Sequence, residues 1–246
     1  MMGFRLRTFL YHLAISILIG TISAGIVFFV LYPTPYSTAI GVTKIFLLVL
    51  TVDIIAGPLM TLVLAKEGKQ GLKFDLTIIA IIQVIALTYG LYNIVISRPV
   101  WLVFDQVRFD IVLANGIDHS EDWLVKPNYR NASMTGPYTV AVRKPSDDKE
   151  RGNWLFYNLS TGYAPSMRPR LYESLDKSWD RIAQKQFPLR ELYQFNNADL
   201  VKQRLSSYEH QIITGWLPLN APSQSMTVLL NTNDRKIVAI VELQPF

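Results

Sequence analysis

Few residues in this chain have the chemistry to bind a metal or move a proton. There are three histidines, His12, His119 and His210, and no cysteine. The lack of cysteine excludes disulfides, thiolate metal sites, iron–sulfur clusters and a cysteine nucleophile. The histidines are too far apart in sequence to show a short metal-ligand spacing. Asp118, His119, Glu121 and Asp122 fall together. A predicted short helix over Ile117–Val125, with Asp118 as its N-cap, makes that cluster a solvated helix start rather than a cation site. No glycine-rich phosphate loop and no Gly-x-Ser-x-Gly turn occurs. The sequence therefore predicts no enzyme, no cofactor and no metal.

The remaining candidate is Asp53, an acid inside a long apolar run. A charged carboxylate near the middle of a bilayer costs about 2.5–3.5 kcal/mol on insertion scales, so it must face a bundle interior and find a partner. By depth at 1.5 Å per residue, Thr21 and Thr88 or Tyr89 are the expected partners, with Gln83 paired to Ser16. One acid, with no basic residue deep in a span, is a weak basis for a proton or ion path. Gly57-Pro58 follows Asp53 by one turn. Proline removes a helix hydrogen bond and crowds the carbonyl of Ile54, which predicts a kink. Ser16, Gly20 and Ala24 recur at every fourth position, a spacing that lets helices approach closely. That seam serves either internal packing or the docking of a foreign helix. Ser16, Gly20, Ala24, Asp53, Gly57, Pro58 and Gln83 are the candidate partner-binding residues.

The elements that position them are three predicted membrane spans, Phe9–Leu31, Ile45–Ala65 and Leu76–Ser97. Each is about as long as the roughly 20 residues needed to cross the hydrocarbon core as a helix. The whole chain is 50% hydrophobic and only 17% charged, against about 25% charged in ordinary globular chains. A signal peptide would end near Ser23-Ala24-Gly25, but the apolar run continues to Leu31, which reads as an uncleaved anchor. Arg5 and Arg7 precede the first span, and Lys66, Lys69 and Lys73 lie between the second and third. Lysine and arginine favour the cytoplasmic side. The N-terminus is thus expected inside the cell and residues 98–246 outside the membrane. That second part carries mixed charges, without the clustered basic face that nucleic acid requires.

The expected division is a three-helix membrane region over 1–97 and a soluble α+β domain over 98–246 with a mainly antiparallel sheet. In the soluble half, Trp101–Ala114 predicts one long strand or two broken near Asp105-Gln106. Tyr138–Val142 and Trp154–Leu159 are further predicted strands. Leu171–Gln186 carries an amphipathic helical pattern, and Asn197–Tyr208 a second helix capped by Asn197. Ile212–Leu217, Met226–Leu230 and Ile237–Leu243 predict strands, the last two forming a hairpin about Asn231-Thr232-Asn233-Asp234. Trp101 is expected at the membrane interface. Tyr163, Tyr172, Trp179, Tyr193 and Trp216 fit either a core or a partner surface.

The string Asp53-Ile54-Ile55-Ala56-Gly57-Pro58-Leu59-Met60-Thr61-Leu62-Val63 resembles the second span of the type IV pilin accessory proteins (TfpX/TfpZ type). Gln83-Val84-Ile85-Ala86-Leu87-Thr88-Tyr89-Gly90 is similar to their third. Arg98-Pro99-Val100-Trp101-Leu102-Val103-Phe104, followed by Arg108-Phe109-Asp110, resembles their junction with the soluble domain. The resemblance is close over about the first 115 residues; beyond them it rests on the overall plan and the closing hairpin. It implies a non-enzymatic bacterial inner-membrane helper of the major type IV pilin and of other pilus assembly proteins, with its C-terminal domain in the periplasm. Such a chaperone or accessory protein would act on pilin stability, pilus assembly or pilus dynamics. The alternative is an envelope sensor or signalling subunit with a periplasmic ligand-binding domain, but the cytoplasmic segments are too short to carry an output.

Overall fold

The computed structural model describes residues 3–246. The chain forms two compact units, one made of the chain up to Pro33 together with Gly41–Ile96, the other of Thr34–Ile40 together with Ser97–Phe246.

Three helices of the first unit are long and apolar enough to cross a membrane: Phe4–Leu31, Val42–Leu64 and Leu72–Ile96. The first is α1 (Phe4–Gly25), continued by a π-helical turn over Ile26–Leu31. It ends at Tyr32-Pro33, where proline has no amide hydrogen to extend the ladder. After the short helix α2 (Tyr36–Ile40), the second span runs as α3 (Val42–Leu50), a π-helical turn over Thr51–Ala56, and α4 (Gly57–Leu64). The disturbance expected at Gly57-Pro58 takes the form of that π turn. Widening the turn before Pro58 relieves the crowding between its ring and the carbonyl of Ile54. The third span is α5 (Leu72–Ile96). Gly68 and Gly71 adopt positive φ of 73° and 81° in the connection before it, a conformation glycine reaches without steric cost.

The soluble unit is built on a mixed, mostly antiparallel half-barrel of seven strands. In chain order these are β1 (Pro99–Asp105), β2 (Arg108–Leu113), β3 (Tyr138–Val142), β4 (Tyr172–Glu173), β5 (Gly215–Asn220), β6 (Met226–Asn231) and β7 (Lys236–Val241). They lie side by side in the order β4-β3-β1-β2-β5-β6-β7. β1 pairs parallel with β3, and β2 parallel with β5; the other pairings are antiparallel. Both faces of β1 are covered. Leu102 and Phe104 join one apolar cluster, while Trp101 and Val103 join another. Burial on both faces explains why β1 is a continuous apolar run rather than an alternating one. Trp101 is accordingly a core residue at 2% exposure, ringed by Tyr129, Tyr138 and Tyr172, and not the interfacial anchor its place after the third span suggested.

Helices flank the sheet: α6 (Asp148–Thr161), α7 (Trp179–Lys185), α8 (Leu192–Phe195) and α9 (Ala198–Ser206). Three expectations are corrected here. Trp154–Leu159, expected as a strand, lies inside α6. That helix starts at Asp147, whose carboxylate accepts from the Glu150 amide at 2.7 Å, and stops at Gly162 with φ 82°; both are helix-end signals. Ile117–Val125, expected as a helix, is irregular apart from a 3₁₀ turn at Asp122–Leu124. Of the long helix expected over Leu171–Gln186, the part from Leu175 forms, as a 3₁₀ turn over Leu175–Ser178 leading into α7; its start is lost because Tyr172 and Glu173 are taken up as β4 against Val142 and Ala141.

The short helix α2 belongs to the soluble unit. Ala39 is fully buried in the same cluster as Phe104, Leu217 and Trp179, with Tyr36 and Ile40 against it. The Ala39 carbonyl accepts from the amides of Ser223 and Gln224 at 3.0 and 3.2 Å. Burial pushes the Tyr36 hydroxyl up to about 12. The segment between the first two spans is thus a piece of the soluble core.

Candidate functional site

Ser16, Ser23, Asp53, Thr61 and Gln83 are the buried polar residues of the membrane unit among those described. Gln83 on α5 donates to the Asp53 carbonyl at 3.0 Å and to its Oδ1 at 3.1 Å. The second span begins at Val42, three residues before its expected start. Counted from that end, Asp53 is about 16 Å deep; Gln83, counted back from Ile96, is about 20 Å deep. The long Gln83 side chain closes the difference. Gln83 is therefore the partner of Asp53, in place of Thr21, Thr88 or Tyr89. Thr21 instead returns its hydroxyl to the Ile17 carbonyl of its own helix at 2.8 Å.

Gly57 makes that bond possible. A Cβ at Gly57 would stand 2.0 Å from Gln83 Nε2, so only glycine lets the amide lie flat on the helix. Pro58 is buried beside it. Asp53 Oδ2 is buried and has no hydrogen-bond partner among the described residues.

Ser16 and Gly20 are also buried. A Cβ at Gly20 would meet Leu50 and Ile54 at 3.0 and 3.1 Å, so this part of the seam faces the second span. Ala24 is half-buried. One residue of the stripe escaped the sequence reading: His12, a turn before Ser16, holds Thr61 Oγ1 at 2.6 Å through its Nδ1. The recurrence of His12, Ser16 and Gly20 at four-residue steps was the available signal.

In the soluble unit the acidic group near His119 disperses. Asp118 accepts from the Tyr157 hydroxyl at 2.7 Å and the Ser120 amide at 2.9 Å. Burial works to raise the Asp118 carboxyl, but those hydrogen bonds and the Arg168 charge outweigh it and hold it below the ordinary value. Glu121 turns to Arg168 and Arg170, and His119 bonds the exposed Asp122. Among the described residues no group of three or more His, Cys, Asp or Glu could hold a metal ion. Of the open aromatics, Tyr172, Trp179 and Trp216 are core, while Tyr193 is 43% exposed.

A second buried polar group lies under the β1–β2 turn. Ser166 donates to Asp110 at 2.7 Å, and the Tyr172 hydroxyl donates to the Ser166 carbonyl. Asp105 beside them is pushed up to about 6, chiefly by burial and then by the Asp110 charge, against the opposing effects of Arg108, the Ser166 amide and Arg181.

Comparison with known proteins gives one consistent picture. The family described as fimbrial assembly protein FimB matches residues 1–41. A fimbrial assembly protein of serogroup E1 from Dichelobacter nodosus is 30% identical over 247 residues, covering 96% of this chain and 93% of the relative. The serogroup I protein of the same organism is 30% identical over 190 residues, 76% of this chain and 73% of the relative. The protein of serogroups C1 and C2 is 40% identical over 97 residues, 38% of this chain. No solved structure matches.

Proposed function

Since this chain belongs to the fimbrial assembly protein family, we propose that it is a non-enzymatic inner-membrane accessory protein of type IV pilus assembly, holding the major pilin before it is polymerised. The observation that carries the reading is the near full-length similarity to the serogroup E1 fimbrial assembly protein, joined to three helices apolar enough to span a membrane. A pilus subunit waiting in lipid with an apolar helix needs a partner there, and close-packed helices supply one.

In this reading the seven candidate residues act through the shape of the bundle. Ser16, Gly20 and Ala24 close the first span on the second, while Gly57, Pro58 and Gln83 hold Asp53. Asp53 Oδ2, buried with no hydrogen-bond partner among the described residues, has bonding capacity left for a polar group of an incoming helix that reaches the bundle interior. The periplasmic placement of the soluble unit follows from the basic residues flanking the spans. Thr34–Ile40, which follows one crossing, and Ser97–Phe246, which follows three, form a single unit, and an odd number of crossings puts both on the same side.

Two measurements test this. Removing the chain from a piliated bacterium is expected to lower surface pili and pilin while pilin transcript persists; unchanged piliation would overturn the role. A phosphatase that works only in the periplasm, fused after Phe246, is expected to be active. Activity from a cytoplasm-only reporter at the same position would overturn the orientation.

A further inference from the structure

An open groove of about 740 Å³ in the soluble unit lies between the β1–β2 turn, the loop after β3, α6 and α7. This lies within the range of about 300–1,000 Å³ found for binding clefts. Its charges are one-sided: Lys144, Arg151, Arg181 and Lys185 line it, with Asp105 the one acid in the lining. Arg181 pairs with Glu173 at 2.8 Å, but its Nη1 is buried with no hydrogen-bond partner among the described residues. Among the described residues Arg151 pairs only with the exposed Asp148, at 3.2 Å. Lys144 and Lys185 make no ion pair among the described residues.

Leu155 of α6 lines this groove and begins an exposed apolar stripe that runs away from it around the helix. Leu155, Phe156 and Leu159 on α6 are 60%, 73% and 77% exposed. At 3.6 residues per turn they share an arc of about 100°. It adjoins the arc of Arg151, Trp154 and Asn158, the side of α6 that faces the groove. Contiguous exposed apolar surface of this kind marks an interaction site, and the adjoining cations set its sign.

We propose that this groove and the adjoining α6 stripe together dock an acidic segment of a protein partner, with its carboxylates against Lys144, Arg151 and Lys185 and its apolar side chains on Leu155 and Leu159. Identifying that partner as the pilin's soluble head rests on the function proposed above; the chemistry of the groove does not. Charge complementarity speeds encounter and selects the partner, while the apolar stripe supplies the desolvated contact.

The lack of native cysteine allows a direct test in the full-length chain. Leu159→Cys, carrying a benzophenone label, is illuminated in pilin-expressing cells, with the exposed Glu209→Cys as the distant control. The expected result is pilin captured from position 159 through an acidic peptide, with at least a tenfold lower yield when Lys144→Glu and Lys185→Glu are added. Lys144→Gln with Lys185→Gln is expected to give an intermediate loss, and unchanged melting temperature shows that either double variant is folded. Capture of pilin at 209 but not at 159 overturns the groove and leaves the proposed function standing. Lipid adducts alone at 159 overturn it in favour of a membrane contact. Capture at 159 that is indifferent to charge reversal overturns the acidic chemistry. Absence of pilin from both positions overturns the groove and removes the support for a pilin partner.

Discussion

Gly57 offers the sharpest test of how the membrane unit is held together. In Gly57→Ala the new methyl would stand 2.0 Å from Gln83 Nε2, 2.3 Å from Cδ and 2.8 Å from Oε1. No shift of a few tenths of an ångström relieves such overlap, so the Gln83 amide must leave. Its two bonds to Asp53, at 3.0 and 3.1 Å, go with it, and a buried carboxyl loses its neighbour. Hydrogen bonds between membrane helices contribute about 0.6–1.7 kcal/mol each, which puts the loss at roughly 1–3 kcal/mol. The expected signature is conditional. In a Gln83→Ala background the obstacle is gone, and Gly57→Ala should become neutral or stabilising by up to about 1 kcal/mol, because alanine is the better helix former. Unfolding of the four purified proteins by detergent titration measures the cycle, with a coupling of about 2 kcal/mol expected. A Gly57→Ala cost that is the same with and without Gln83 would refute the steric account.

Asp105→Asn should stabilise the soluble unit at pH 7. The folded state holds this carboxyl up at about 6 from an ordinary 3.8, so the stability it contributes is complete below about 3.8 and is lost as pH rises through about 6; the asparagine variant should gain up to about 3 kcal/mol at pH 7 and nothing at pH 3.5, read by urea unfolding at the two pH values. Glu150 titrates the other way. Its bond with Arg143, first, and the Ser146 amide hold it down at about 2, so Glu150→Gln should cost about 1 kcal/mol at pH 7 for a partly exposed pair. That difference should fade as pH falls from about 4.5 through about 2, again followed by urea unfolding. Asn197 accepts from the Asp199 amide at 2.8 Å at the start of α9; Asn197→Ala should cost about 1 kcal/mol, seen as a lower melting temperature that Asn197→Ser largely restores.

Legibility in the sequence followed the range of the interaction. Lipid immersion is a property of composition along the chain, so three apolar runs and their turn-forming ends could be read directly. Local signals served equally well for the Asn197 cap and the β6–β7 hairpin. The α6 helix was legible too, in Asp147, Glu150 and Gly162, but the apolar residues of Trp154–Leu159 drew the reading toward a strand. Leu155, Phe156 and Leu159 are exposed and only Trp154 is buried, so their pattern reports mainly a surface and not the period of a buried face.

The sequence by itself determined the membrane character, the α+β class and the identity of Asp53 as the group needing a partner, because each depends on residue type and short-range spacing. Only the tertiary structure decided that Gln83 is that partner, that Trp101 is core, and that Ala39 completes the soluble domain from between two spans. Those outcomes depend on which distant segments meet. A polar group accepts whichever partner reaches its depth, and an apolar one whichever cavity it fills, so the choice is made by helix register and sheet order rather than by the residue's neighbours in the chain.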